Sequence, residues 1–122
     1  EICIHHGKIL GLHMCGHIQV LLEDLRDMNI SVFEAFTTPN IGNTHLIDGR
    51  KQCPETCLIG GTNATLWTKS VEEICTEIKS ELDALDNHRG IIVTTAGIIP
   101  ISCRPEKVRQ VCEFVKTYPA RM

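Results

Sequence analysis

The sequence predicts an α/β fold in which four βα units follow one another and form half of a TIM-type (β/α)8 barrel with parallel strands. Three observations lead there. Short apolar segments alternate four times with segments of helical periodicity. The strand segments are nearly continuous in apolar residues, as in parallel sheets covered on both faces. The chemically interesting residues lie just after the strands, on the face where such barrels place their active sites. Neither a dinucleotide glycine fingerprint nor a P-loop follows any of the four strands.

Taken in order, Lys8 to His13 reads as a buried strand, and Ile18 to Leu25 carries apolar residues at helical spacing with charges between them. Asn29 breaks that helix. Ile30 to Phe36, rich in β-branched and aromatic residues, is the second strand, and Thr37 to Asn43 is a loop by composition. A short helix is expected over about Thr44 to Lys51. Thr56 to Ile59 forms the third strand and runs into Gly60-Gly61. Ser70 followed by Glu73 is a capping box that opens a long amphipathic helix to about Leu85. After Asn87 to Gly90, Ile91 to Thr95 is the fourth strand. Cys103-Arg104-Pro105-Glu106 then starts a last helix, with proline in its first turn, that runs to about Lys116.

At 122 residues, residues 1–122 make a single domain with a modest core. Twelve Lys and Arg against 15 Asp and Glu give a net charge of −3, and no basic stripe interleaved with aromatics offers a nucleic-acid groove. The longest apolar runs are too short to span a bilayer, so no membrane segment is expected. Seven cysteines, an odd number spread through strands and helices, argue against a secreted disulfide framework and predict reduced thiols in a cytoplasmic protein. The chain begins at Glu1 directly upstream of a strand, which suggests a fragment of a longer protein. A half-barrel exposes sheet edges and an apolar inner face, so it is expected to dimerise or to associate with a missing N-terminal half.

The run Gly11-Leu12-His13-Met14-Cys15-Gly16-His17 is the most informative stretch. Residues two apart on a strand share a face, so His13 and Cys15 point together, and an imidazole with a thiolate is half of a zinc site. The plain alternative is a satisfied histidine beside a thiol packed as a small hydrophobe. Glu34, near the end of the neighbouring strand, is the first candidate for a third ligand; otherwise it is a carboxylate paired with a Lys or Arg. Cys103, at the entrance to the last helix, is the second, because a helix N-terminus lowers a thiol's pKa; otherwise it packs at the cap. An absent half of the barrel could also supply the ligand. Thr37, Thr38, Asn43 and Thr95 are loop groups that can bind substrate or form local turns. Gly60 and Gly61 permit a close backbone approach by a ligand or a tight strand-to-helix turn. Cys53 and Cys57, spaced C-x3-C, read as buried thiols rather than a metal or redox pair, and Cys75 and Cys112 as core. His17 reads as a solvent residue, and His45 and His88 as surface residues at helix edges.

Four stretches resemble the C-terminal half of the uroporphyrinogen decarboxylase superfamily, in order and over nearly the whole chain: Gly11-Leu12-His13-Met14-Cys15-Gly16, Phe36 to Asn43, Ile59-Gly60-Gly61-Thr62 with Lys69 to Glu73, and Thr95 to Pro100 with Pro105 to Val108. The first is similar to the H-x-C-G of the zinc-dependent corrinoid methyltransferases. The resemblance implies a zinc ion on His13, Cys15 and a further ligand such as Glu34, a corrinoid (cobalamin) carried by a partner protein, and methyl transfer. The alternative it implies is uroporphyrinogen decarboxylase-like chemistry on a tetrapyrrole, and outside the enzymes stands a non-catalytic half-barrel binding module. Ala96 departs from the pattern, since it occupies the position of the third, cysteine ligand of the methyltransferases and of a substrate-contacting histidine in the decarboxylase. Asn43 stands where many relatives have aspartate. The decarboxylase's essential aspartate and arginine cluster belong to the N-terminal half of the family fold, so this stretch alone is not expected to decarboxylate anything.

Overall fold

The computed structural model describes residues 2–122. Four strands, β1 (Gly11–His13), β2 (Val32–Thr37), β3 (Cys57–Thr62) and β4 (Ile91–Val93), form one parallel sheet in sequential order. Helices α2 (Leu22–Asp27), α3 (Leu46–Gln52) and α4 (Val71–Asp83) connect them, and α5 (Pro105–Thr117) follows β4. Crossovers repeated in strand order keep the helices on one side of the sheet, as in a β/α barrel. The predicted four-unit α/β architecture is therefore the observed one. Helices cover one face of the sheet rather than both, because the other face is the interior of the barrel arc.

Register assigns each face. Leu12 pairs with Phe33, Phe33 with Leu58 and Leu58 with Ile91. This row packs under the helices with Ile18, Leu22, Leu25, Leu46 and Leu85. The next row, His13, Glu34, Ile59 and Ile92, lies on the opposite, open face. Strict alternation would place Phe33 and Phe36 on opposite faces. A register shift between Glu34 and Phe36 returns Phe36 to the core, where the two rings meet edge to face at 5.0 Å. A second cluster, Trp67, Ile74, Ile78, Leu82, Cys103 and Val111, joins α4 to α5.

Ser70 caps α4 as its sequence indicates: its hydroxyl accepts from the Glu73 amide at 3.2 Å, and its own amide donates to the Glu73 carboxylate at 3.0 Å. These bonds to Ser70 hold the Glu73 carboxyl below the usual range. Other boundaries moved. β1 begins only at Gly11, because the Lys8 amide is committed to the Cys3 carbonyl at the end of a short helix α1 (Ile2–His5) that the sequence did not signal. The helix expected from Ile18 starts as a 3-10 turn (Gln19–Leu21) before α2, and it stops at Asn29, whose φ is 52°.

β3 runs through Gly60 and Gly61 instead of ending before them. Gly60 has φ 152°, and a Cβ there would overlap the backbone of Phe36; Gly61, at φ 81°, would drive one into the Leu46 side chain. Gly60 answers to the backbone of the β2 bulge and Gly61 to the Leu46 side chain of α3.

His45 is not a plain surface histidine. It precedes α3, and its Nδ1 donates to Glu81, a carboxylate only 6% exposed on the apolar face of α4. The Leu46 amide donates to the other Glu81 oxygen at 2.9 Å. The hydrogen bond to Glu81 raises His45 above its ordinary value of 6.5, against the opposing effect of burial. Two outcomes are expected. Gly60→Ala should lower stability by about 1–3 kcal/mol in urea unfolding, from overpacking against Phe36. Because the folded value of His45 is raised, its stabilisation is full below the unfolded value and is lost as pH rises through the folded one. Urea midpoints of His45→Ala should therefore show a flatter fall than the parent as pH rises above the ordinary histidine value of 6.5.

Candidate functional site

At the C-terminal ends of the strands the open face of the sheet deepens into a cavity of about 780 Å³. Its wall carries His13, Cys15, Glu34, Thr37, Thr94, Thr95 and Ala96, and its apolar part is Ile41, Ile59, Ala64 and Ile98. No Lys or Arg lines it among the described residues.

His13 ends β1 and pairs in register with Glu34 of β2, which places both side chains on the open face. Their polar ends meet: the Nδ1–H of His13 donates to the Glu34 carboxylate. A proton held on Nδ1 leaves the lone pair of the neutral ring on Nε2. Cys15, two residues on, is exposed on the same wall, and all seven thiols are free. Among the described residues no three His, Cys, Asp or Glu side chains converge closely enough to hold a metal ion as they stand. Imidazole and carboxylate come together, with the thiol beside them on the cavity wall.

The other sequence candidates divide. Thr37 and Thr95 line the cavity, although their hydroxyls donate locally, to the Ala35 carbonyl at 3.3 Å and the Gly97 carbonyl at 2.7 Å. Thr38 is fully buried, and its hydroxyl accepts from Asn63 at 3.0 Å. The Asn43 Oδ1 accepts from the Gln19 backbone amide at 3.3 Å and from the Thr44 hydroxyl at 3.2 Å, joining the 3-10 turn before α2 to the loop after β2. Thr38, Asn43, Gly60 and Gly61 are thus supports and do not line the cavity. Cys103 packs in the cluster between α4 and α5, away from His13. His17 is exposed outside the cavity, as expected. Cys53 is buried, and burial pushes its thiol up, as it does for half-buried Cys75; Cys112 is exposed rather than core. Ala96 is buried on the cavity wall at φ 46°, so the position carries no donor atom.

Asn63 escaped the sequence reading. It is 4% exposed and uses its whole hydrogen-bonding capacity: Nδ2 donates to the Thr38 hydroxyl and, at 2.7 Å, to the Pro39 carbonyl, while Oδ1 accepts from the Thr65 hydroxyl at 2.6 Å and the Leu66 amide at 2.9 Å. The loops after β2 and β3, which form one side of the cavity, are tied together through this one side chain. Its neighbour Thr62 donates to the Thr94 carbonyl at 2.6 Å and accepts from Trp67 Nε1, extending the tie to β4. The available signal was a polar residue directly after an apolar strand, which also describes most loops. Asn63→Ala should cost at least about 2 kcal/mol, because it orphans the Pro39 carbonyl and takes their partner from the Thr38 and Thr65 hydroxyls, although the Leu66 amide keeps its bond to the residue 63 carbonyl. Asn63→Asp keeps the acceptor and sets a carboxylate against that carbonyl, so its urea midpoint should recover as pH falls and the carboxylate is neutralised.

Comparison with known proteins agrees with the geometry. No curated protein matches the chain significantly. A family model described as uroporphyrinogen decarboxylase (URO-D) matches residues 3–118. With four sequential parallel βα units and a cavity at the C-terminal ends of their strands, the chain belongs to the uroporphyrinogen decarboxylase family.

Proposed function

We propose that residues 1–122 form the C-terminal half of a uroporphyrinogen decarboxylase superfamily barrel of the zinc-dependent, corrinoid-linked methyltransferase type, with His13, Cys15 and Glu34 as this chain's zinc ligands. The observation that carries the reading is that His13 and Glu34 meet at one register position, with the Cys15 thiol on the same cavity wall. Nitrogen, sulfur and oxygen donors of these kinds suit zinc. Bound there, zinc would lower the pKa of a substrate thiol or polarise the heteroatom that carries a methyl group.

The residues themselves do the positioning. Register fixes His13 beside Glu34, and their hydrogen bond holds imidazole and carboxylate together while no cation competes for them. Ile59 makes the floor of the wall apolar, and the exposed Ile41 and Ile98 extend that apolar surface toward solvent. Thr94 and Thr95 offer hydroxyls across the cavity from the histidine strand. A corrinoid would be presented by a partner protein, and the missing half of the barrel, or a second copy of the chain, would cover the open face of the sheet.

The decarboxylase reading stands as the alternative: the cations that would meet a tetrapyrrole's carboxylates belong to the other half of the family fold, so the lack of Lys and Arg on this cavity wall among the described residues does not bear on it. Metal analysis of the intact protein tests the proposal. About one equivalent of zinc is expected, with affinity reduced at least about tenfold in His13→Ala and in Cys15→Ala, and falling with pH as the ligands take up protons. Intact protein isolated without zinc, and unable to bind added zinc, would overturn it.

A further inference from the structure

The segment after α5 is clasped to the end of α4 through one histidine. The Arg121 guanidinium lies on the last carbonyls of that helix and its exit: Nη2 is 3.1 Å from the Leu82 oxygen, 3.2 Å from that of Asp83 and 2.6 Å from that of Leu85. The Leu82 carbonyl also accepts from the Leu85 amide at 3.1 Å, so Arg121 adds to the bonds of the helix end, where the negative end of the dipole favours a cation. His88, in the loop between α4 and β4, exchanges two bonds with Arg121. The His88 amide donates to the Arg121 carbonyl at 2.7 Å, and the Arg121 amide donates to His88 Nδ1 at 2.8 Å. The other ring nitrogen, Nε2, is 2.9 Å from the Leu82 carbonyl.

These partners fix the state of the ring. A backbone N–H can only donate, so Nδ1 must be a bare acceptor. A carbonyl can only accept, so Nε2 must carry the proton. The clasp therefore requires neutral imidazole in one tautomer. A second proton can go only on Nδ1, where the Arg121 N–H already points. Two donors would then face each other, with a new cation beside the guanidinium.

The charged and titratable groups nearby are few. Asp83 and Lys79 belong to α4, Tyr118 and Arg121 to the segment after α5, and Asp86 and Arg89 to the loop of His88 itself. Asp83 is the one carboxylate tied to a group that touches the ring, and it is already committed: it accepts from Lys79 and, at 2.6 Å, from the Tyr118 hydroxyl. Those bonds hold the Asp83 carboxyl below its usual range and push the Tyr118 phenol up. Tyr118 in turn packs edge-on against His88 at 5.4 Å.

We propose that residues 118–122 form a strap whose catch is His88, closed when the imidazole is neutral and released when it takes a second proton. The strap joins the exit of α5 to the end of α4 and to β4, whose first amide donates to the His88 carbonyl at 3.1 Å. Those three elements wall an apolar cleft of about 360 Å³ lined by Trp67, Ile78, Val93, Val111 and Val115. Release therefore loosens α5 over that cleft, which meets the His13 cavity at Thr94 and Thr95.

Nuclear magnetic resonance can read both halves of this proposal in one sample, by following the protonation of the His88 ring and the hydrogen exchange of the Arg121 amide, corrected for its intrinsic rate, as pH is lowered. Protection of Arg121 should fall at least about tenfold in step with ring protonation, the loss of roughly one hydrogen bond, while the Leu58 amide stays protected. His88→Gln supplies an amide that donates at Nε2, accepts at Oε1 and does not titrate, so this variant should keep the Arg121 amide protected throughout. Protection of the parent's Arg121 that is indifferent to ring protonation would overturn the proposal. So would loss of protection in His88→Gln at the same pH. If His88→Gln fails to fold, the parent measurement alone decides, since ring and amide are read in the same molecule.

Discussion

Parallel pairing of β2 with its neighbours sets Leu12, Phe33 and Leu58 in one row and His13, Glu34 and Ile59 in the next, and everything else in this protein follows from which row faces the helices. Side chains one residue apart on a strand point to opposite faces. A slip of one residue would bury a histidine and a glutamate under α2 and α3 and expose two of the largest core side chains. The cost of burying that ion-forming pair without partners and the loss of the apolar row both oppose the slip. Core and candidate site are thus specified by the same register, one as the complement of the other.

Around that register, the features nearest the cavity are devices for holding loops and strands together. The bulge at Ala35 lets Phe33 and Phe36 share the core. Gly60 has no side chain because the displaced backbone of Phe36 occupies the space where a Cβ would sit. Gly49 does the same for the Phe36 ring from α3. Asn63 and Thr62 then bind the loops after β2 and β3 to each other and to β4. The cavity wall is consequently cross-tied by hydrogen bonds on the Thr37 and Thr94 side. His13, whose side chain is 68% exposed, stands at the edge strand with one neighbour only. An edge strand and an uncovered inner face are what half of a family barrel must present, and they mark where the remainder of such a barrel would pack.

The parts legible in the sequence are those that depend on local pattern. The order of elements, Ser70 and Glu73 as a cap, Pro105 at the start of α5 and the pairing of His13 with the end of the next strand all come from spacing within a few residues or between adjacent strands. What stayed hidden depends on contacts across long separations. Glu81 reads as one charge on an amphipathic helix, and only the folded chain brings His45 and the Leu46 amide to it from 36 and 35 residues away. Asn63 looks like any loop asparagine until the Pro39 carbonyl faces it. Gly60 and Gly61 read as a turn because what they accommodate, the bulge on β2 and Leu46 of α3, lies elsewhere in the chain. Among the expected site residues, Thr38 and Asn43 fit the composition of a binding loop, and their polar groups are used internally instead.

The central claim is that register makes His13 and Glu34 a functional unit on the open face of the barrel. A double-substitution cycle of zinc affinity in the intact protein, with His13→Ala, Glu34→Ala and both together, tests it most directly. The account predicts strong non-additivity, with the second substitution costing much less once the first has been made. Additive losses, or a Glu34→Ala protein that binds zinc as tightly as the parent, would contradict it.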